Sequence, residues 1–336
     1  MDEMKNSDKV FFNYIKDFLE KKGILYHINY NIVSEDFNGY IKDINESKTL
    51  QNSSQLSVNL IDCNFIGNGV IIAPKSLTMK TQSLDVKISK DLEMMHLKLK
   101  EFESLSTFES KTTYKTSAKV FNTIVNLVDK TGKKLFLDID ELNLNFASDT
   151  QDIKARFDTS SAFKQLLLKS DNEQLKTNNF NYDVVFYDIE KDTLEELNKL
   201  LSQSQVKNNF GLILDIKNSF LKLASKGLKI DINNFSLENI EYKNEAFDGF
   251  IIKSKFHIKE DNNLVNKISY SPMLIMQSIA FDFNLKLSEK LFDNIASTTP
   301  LAIFAKPYAK KELNFLIFNS SFHKGEFKIN GKSLLN

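Results

Sequence analysis

The chain has 336 residues, enough for one large elongated domain or two ordinary ones. Its 44 basic and 44 acidic side chains cancel, so no global field draws it to nucleic acid or to an anionic membrane. Arg156 is the only arginine, which removes the usual tool for bidentate phosphate and base recognition, and Cys63 is the only cysteine, which excludes an intrachain disulfide and a multi-cysteine metal site. Cys63 alternates with Ile61 and Phe65 and reads as a small buried hydrophobe. Hydrophobic residues make up 42% of the chain, yet no apolar run approaches the roughly 20 residues that span a bilayer. The opening "MDEMKNSDK" does not resemble an export signal, so the expectation is a cytoplasmic chain or one given without its targeting segment.

The first helical pattern is Lys9 to Lys22, with Phe11, Tyr14, Ile15 and Phe18 at helical spacing. Strand-like alternation follows in "SVNLIDCNFI", "SLDVKISKDL" and "MMHLKLKEF". The spacing of Phe121, Ile124, Val125 and Val128 predicts a helix from Ser117 to Lys130, and a shorter one is expected near Ser160 to Leu168. "YDVVFYDI" is a strand. Thr193 and Glu196 form a capping box that opens a helix on Leu194, Leu197, Leu200 and Leu201. Ile216, Phe220, Leu223 and Ala224 mark another helix. "GFIIKSKFHI", "IAFDFNLKL" and "ELNFLIFN" are strands, and Ser288 opens a last helix on Leu291, Phe292 and Ile295. Asn38-Gly39, Asn68-Gly69, Asp248-Gly249 and Asn330-Gly331 predict tight antiparallel hairpins. Residues 45–55 and 170–179 read as loops.

Two strands change apolar parity in mid-run. Leu135, Leu137 and Ile139 give way to Leu142, Leu144 and Phe146, and Leu228, Ile230 and Ile232 give way to Phe235 and Leu237. A one-residue slip moves a strand's side chains to the other face, so a β-bulge is expected near Asp140-Glu141 and near Asn233-Asn234. The two runs align at an offset of 93 residues, each after a helical pattern and a glycine, Gly132 or Gly227. This predicts an internal duplication of a helix, a glycine, a bent strand and a hairpin, with a weaker relative in "LEKKGILYHINYNI".

"FLKLASKGLKIDINNFSLENIEYKNEAFDGFIIKSKFHI" resembles a recurring segment of the YdgA-like bacterial proteins, a family without an assigned activity. "AKKELNFLIFNSSFHKGEFKINGKSLL", with Gly325, Asn330, Gly331 and Lys332, is similar to that family's ending. The match covers roughly 210–336. It implies an envelope location, periplasm or cell surface, with an amino-terminal export or anchoring segment that this chain lacks, and it carries over no catalytic residue. In style the chain also resembles the surface lipoprotein adhesins of Campylobacter, which have an open, curved sheet.

Little chemistry is visible. His27, His96, His257 and His323 are never at ligand spacing and read as surface imidazoles. No phosphate-binding glycine loop and no nucleophile elbow occurs. Asp138 with Asp140 could be paired carboxylates, but solvent-facing charges beside a bulge explain them better. "DINES" fits an acidic acceptor for bacterial N-glycosylation, with Asn45 in a predicted loop. No catalytic, metal or cofactor residue is assigned. The expectation is an α+β chain of long, curved antiparallel sheets with short amphipathic helices on the concave face. An amino-terminal helix and meander (1–110) precede a duplicated region (111–336), either as two domains or as one elongated unit. The expected function is a non-enzymatic envelope protein that binds a lipid, an apolar peptide or another envelope component in a groove between sheet and helices. The alternative is a surface adhesin or structural interaction module with a host or envelope protein as partner. Nucleic acid is excluded as a partner, and membrane contact is expected only through the missing anchor.

Overall fold

A computed structural model describes residues 25–50, 53–150, 152–204, 210–243 and 245–333. The helix expected at Lys9 to Lys22 lies outside them. Seventeen strands form one antiparallel sheet. Its centre is a meander of long strands: β4 (Gln55–Val70), β5 (Ala73–Lys90), β6 (Glu93–Phe108), β7 (Tyr114–Val128), β8 (Lys134–Asp149), β9 (Lys154–Ser170), β10 (Gln174–Glu190), β11 (Leu228–Tyr242), β12 (Glu245–Ile258) and β13 (Ile279–Ser288). Each pairs with the next in sequence. Residues 110 and 111 lie in the short turn between the paired strands β6 and β7. At one margin β2 (Asp36–Ile41) and β3 (Ile44–Thr49) share the outer edge of β4, and β1 (Tyr26–Tyr30) pairs with β2. At the other, β15 (Phe315–His323) pairs with β13, β14 (Lys310–Glu312) and β16 (Glu326–Ile329), and β17 (Lys332–Ser333) closes on β16.

The helices are α1 (Lys191–Ser204), α2 (Phe210–Ser225), α3 (Leu264–Tyr270) and α4 (Glu289–Thr298). Helix α1 begins three residues before its expected start, because the Glu190 carboxylate accepts the Thr193 N–H at 2.8 Å and does the capping itself. Ser288 caps α4 as expected, accepting the Leu291 N–H at 3.2 Å. Helices α1 and α2 bury Leu197 and Leu223 against Ala155 and Ile189, with Phe157, Phe186 and Leu228 packed around them. Helix α3 seats Leu264, with no exposed surface, beside Ala224 and Ile258. Helix α4 sets Phe292 and Ala296 on Leu287, Leu316 and Phe318. Ladder partners and residues two apart in a strand share a face. Phe157 pairs with Phe186, Phe186 with Ile230, Ile230 with Phe256, and Phe250 with Leu287, so all the helices lie on one face of β9–β15.

Two expected helices are strands. Ser117 to Lys130 lies largely in β7, and Ser160 to Leu168 lies in β9. In β7 the apolar parity changes at Phe121, so the helix-like spacing of Phe121, Ile124, Val125 and Val128 mixes residues from both faces of a strand. Its Val120, Thr123, Ile124 and Val125 are β-branched, which suits a pleated ladder. The expected loops are also mostly strand. Residues 44–49 are β3, and the β9–β10 connection is only 171–173.

The parity change crosses the whole meander. Ladder pairs Ile61↔Ser83 and Cys63↔Thr81 flank Asp62, and the same interruption recurs strand by strand at Gln82, Glu101, Phe121, Glu141, Lys164 and Asn179. On alternate strands the residue on this line has a left-handed backbone: Asp62 (φ 54), Glu101 (φ 49), Glu141 (φ 52) and Asn179 (φ 54). The register is the same on both sides of the line. A left-handed residue resets the pleat, so strands whose apolar positions change parity keep them on one face. Strand β8 therefore slips at Glu141 by this device, whereas β11 slips by a register shift between Ile232 and Phe235. The helix half of the repeated unit is absent before β8, where β7 stands.

Of the four glycine turns, Asn330-Gly331 is one, joining β16 to β17 with φ 48 and 81. Asn68-Gly69 carries a register shift two residues before the β4–β5 turn. Gly39 and Gly249 lie inside strands. A Cβ on Gly39 would come within 2.5 Å of the Phe65 ring, and one on Gly249 within 1.6 Å of the Leu237 carbonyl oxygen. These glycines serve close approach, not a turn.

Candidate apolar binding face

Below the line of left-handed residues, β4–β10 carry three rows of aliphatic side chains. The ladder sets Leu60, Leu84, Leu99, Thr123, Ile139, Leu166 and Thr177 side by side in the first row. The second holds Val58, Val86, Leu97, Val125, Leu137, Leu168 and Leu175. The third holds Leu56, Ile88, Met95, Leu127 and Leu135. At strand spacing the rows extend about 29 Å across the sheet and about 14 Å along it. That is a contiguous apolar surface of the size that marks a binding site.

None of the three helix-bearing clusters includes a residue of β4–β8. Most of the row residues are half-buried by their neighbours, Leu56 is buried, and Met95, Leu127 and Leu135 are 43%, 36% and 39% exposed. Charged residues limit the face at the β3 margin, where Glu46 and Lys48 oppose Val58 and Leu56. At the far margin Lys243 lies over the Tyr242 ring, 5.0 Å from its centre. Two polar atoms interrupt the first row. The Thr123 and Thr177 hydroxyls are buried and have no hydrogen-bond partner. An unpaired buried hydroxyl costs about 1–3 kcal/mol, so the two mark a local cost within the first row. The two strands are three ladder steps apart, about 14 Å.

The opposite face is polar and internally paired. His96 meets Asp85 at 2.9 Å, with Lys98 beside it. Asn122 Nδ2 donates to both Asp138 and Asp140, at 2.7 and 2.9 Å, so these carboxylates bracket an amide and are not aimed at a reacting group. A shallow groove of about 940 Å³ follows the line of left-handed residues past Asp62, Glu101, Phe121 and Glu141. Its charges pair locally, Lys164 with Glu141 at 2.6 Å and Lys80 with Glu103 at 2.9 Å.

The other candidates are scattered. His27 bonds Asn29 and stacks on Tyr40, and His323 bonds Asp282. Burial and then Lys229 push the His257 imidazole below its usual range. Cys63 is buried, as its alternation predicts. Among the described residues no three His, Cys, Asp or Glu side chains are grouped to hold a metal, and no helix is long and apolar enough to cross a membrane. Asn45 is exposed, but it lies in β3 opposite Asn59 and not in a loop. Alternation supplied row residues of β4, β5, β6 and β8, whereas those of β7 and β9 lay in segments read as helices and those of β10 in one read as a loop. The unpartnered threonines had no signal, because threonine is common in any strand. No family model matches the chain, and no curated protein and no solved structure shows significant similarity to it.

Proposed function

We propose that this protein is a non-enzymatic component of the bacterial cell envelope that binds an apolar ligand, lipid or peptide, along the aliphatic rows of β4–β10. The observation that carries the reading is the breadth of those rows, together with the absence of β4–β8 from the helix-bearing clusters. The site expected between sheet and helices moves to the strands that the helices leave bare. A concave curvature of the sheet belongs to the same proposal, as does an internal duplication restricted to the glycine, strand and hairpin. The envelope location rests on the YdgA-like resemblance of roughly 210–336. Glycosylation of Asn45 goes with it, and the intact mass of host-derived protein should show a glycan that Asn45→Gln removes.

Native mass spectrometry of protein purified from its own host tests the binding. The expected result is a co-purifying lipid or peptide that is lost when Leu97 and Leu137 are both changed to Glu. An empty wild-type protein, or a ligand retained by that variant, overturns the reading. An empty protein that binds host cells supports the adhesin alternative.

A further inference from the structure

At the other end of the strands, two hairpin tips lie side by side. The β1–β2 loop exposes Ile32 by 84% and Val33 by 94%. The β4–β5 turn exposes Ile71 by 42% and Ile72 by 94%, with Val70 beside them at 54%. Turn positions favour Gly, Asn, Asp and Ser, and two adjacent isoleucines there are of no use to the turn. Nor do they serve the core, since these side chains stand in solvent. We propose that the paired tips form an aliphatic prong that inserts into the interfacial region of a lipid bilayer.

The prong is joined and is convex. The Gly69 N–H donates to the Glu35 carbonyl at 2.9 Å. Asn68 Nδ2 donates to the Ser34 carbonyl at 3.1 Å and to Asp36 at 2.8 Å. A bilayer accepts a loop only where its backbone groups are bonded within the protein. Here the Asn31 N–H donates to the Asp36 carbonyl at 2.8 Å, and Asn31 Oδ1 takes the N–H groups of Val33 and Ser34 at 2.9 and 3.3 Å. Near the tips Lys75 and Glu35 neutralise each other at 2.7 Å, and the Asp36 carboxylate is held by the Asn68 amide. A β1–β2 tip that bonds several of its donors within the protein, with one ion pair at its base, loses less on leaving water than an open loop, and the aliphatic side chains of both tips gain. This anchor does not depend on the aliphatic rows, which lie beyond the line of left-handed residues.

The chain has no tryptophan, so a single one introduced by mutation reports its own surroundings. With vesicles of phosphatidylethanolamine and phosphatidylglycerol, Val33→Trp and Ile72→Trp should each show a blue-shifted emission. Leu92→Trp, at an exposed turn on the opposite end of the strands, should show none. Changing Ile32, Val33, Ile71 and Ile72 together to Ser should weaken co-sedimentation with the same vesicles by about tenfold or more. These side chains are largely exposed, so the variant keeps its fold, checked by its circular dichroism. No shift at positions 33 and 72, an equal shift at 92, or undiminished co-sedimentation of the Ser variant would overturn the prong. A Leu97→Glu and Leu137→Glu variant that still shifts at 72 separates the anchor from the binding face.

Discussion

Strands β4–β8 and β9–β15 belong to one ladder and share one alternation, yet their apolar faces end differently. In the second group Ala155, Val184 and Leu316 keep 1%, 3% and 3% of their surface exposed. In the first, Met95, Leu127 and Leu135 keep 43%, 36% and 39%. The connections make the difference. Strands β5 and β6 are joined by Asp91 and Leu92, and β7 and β8 by residues 129–133, which are too short to hold a helix. The β10–β11 connection holds α1 and α2, β12–β13 holds α3, and β13–β14 holds α4. An antiparallel meander is clothed only where a connection is long enough to return over it.

The largest expected effect tests the clothed group. Gly249→Ala places a Cβ 1.6 Å from the Leu237 carbonyl oxygen, and backbone cannot move aside as a side chain can. Urea denaturation should show a loss of about 4 kcal/mol or more. Gly132→Ala, in the β7–β8 turn with nothing within 4 Å and φ +82, should cost only about 1 kcal/mol, for the left-handed backbone alone. Equal losses would mean that β11 and β12 are not in close contact.

Next come the side chains themselves. Leu264→Ala or Phe292→Ala removes a buried group from under a helix and should cost about 3–5 kcal/mol. Leu97→Ala, on the bare rows, should cost about 1 kcal/mol or less without ligand. The same limit applies to Leu144, which is 43% exposed, although its parity in the sequence suggests a core position. A loss at Leu97 as large as that at Leu264 would show that something covers the rows, and would remove the binding face.

A smaller effect belongs to the cap of α1. The hydrogen bond from Thr193 lowers the Glu190 carboxyl below its ordinary 4.5. A depressed carboxylate stabilises the fold above its unfolded pKa, and that contribution is lost as pH falls from about 4.5 through the lowered value. Glu190→Ala should cost about 1 kcal/mol at neutral pH and progressively less in acid. A pH-independent loss would assign Glu190 a packing role instead. The counterpart within β4–β8 is Asp129, whose carboxylate is lowered by the Thr131 hydroxyl and by backbone N–H groups of the β7–β8 turn, where it ties a turn and not a helix.

Much of this comparison was legible in the sequence. The long alternating runs became strands, and Ser288 before Leu291 became a cap. Two kinds of feature were not legible. The pleat reset at Phe121 and Lys164 brings residues of both faces into one window, where a strand imitates helical spacing. Gly39 and Gly249 carry the dipeptide signature of a turn but answer to a ring and a carbonyl from neighbouring strands, contacts remote in sequence. The binding face was half legible. Its residues in β4, β5, β6 and β8 stood out by parity, but which strands the helices would leave bare depends on packing that no single run of sequence encodes.

The smallest effect tests what the bare group rests on, the line of left-handed residues. Glu101 sits on that line with φ 49 and an exposed side chain. In a regular strand glycine is poorer than glutamate, and valine is better. On the line the order should reverse. Glycine adopts a positive φ freely, so Glu101→Gly should gain about 0.5–1 kcal/mol after its larger unfolded-chain entropy is counted. Valine is a genuine outlier there, and Glu101→Val should lose about 1–2 kcal/mol. The same pair of substitutions at Lys98, three residues away in the same strand but off the line, should give the ordinary order. Because the test reads opposite signs at two sites of one strand, it does not depend on magnitudes. An ordinary order at both sites would mean that β6 runs straight through. Without a reset there, the change from Leu97 and Leu99 to Phe102 would split the apolar residues of β6 between opposite faces of the sheet.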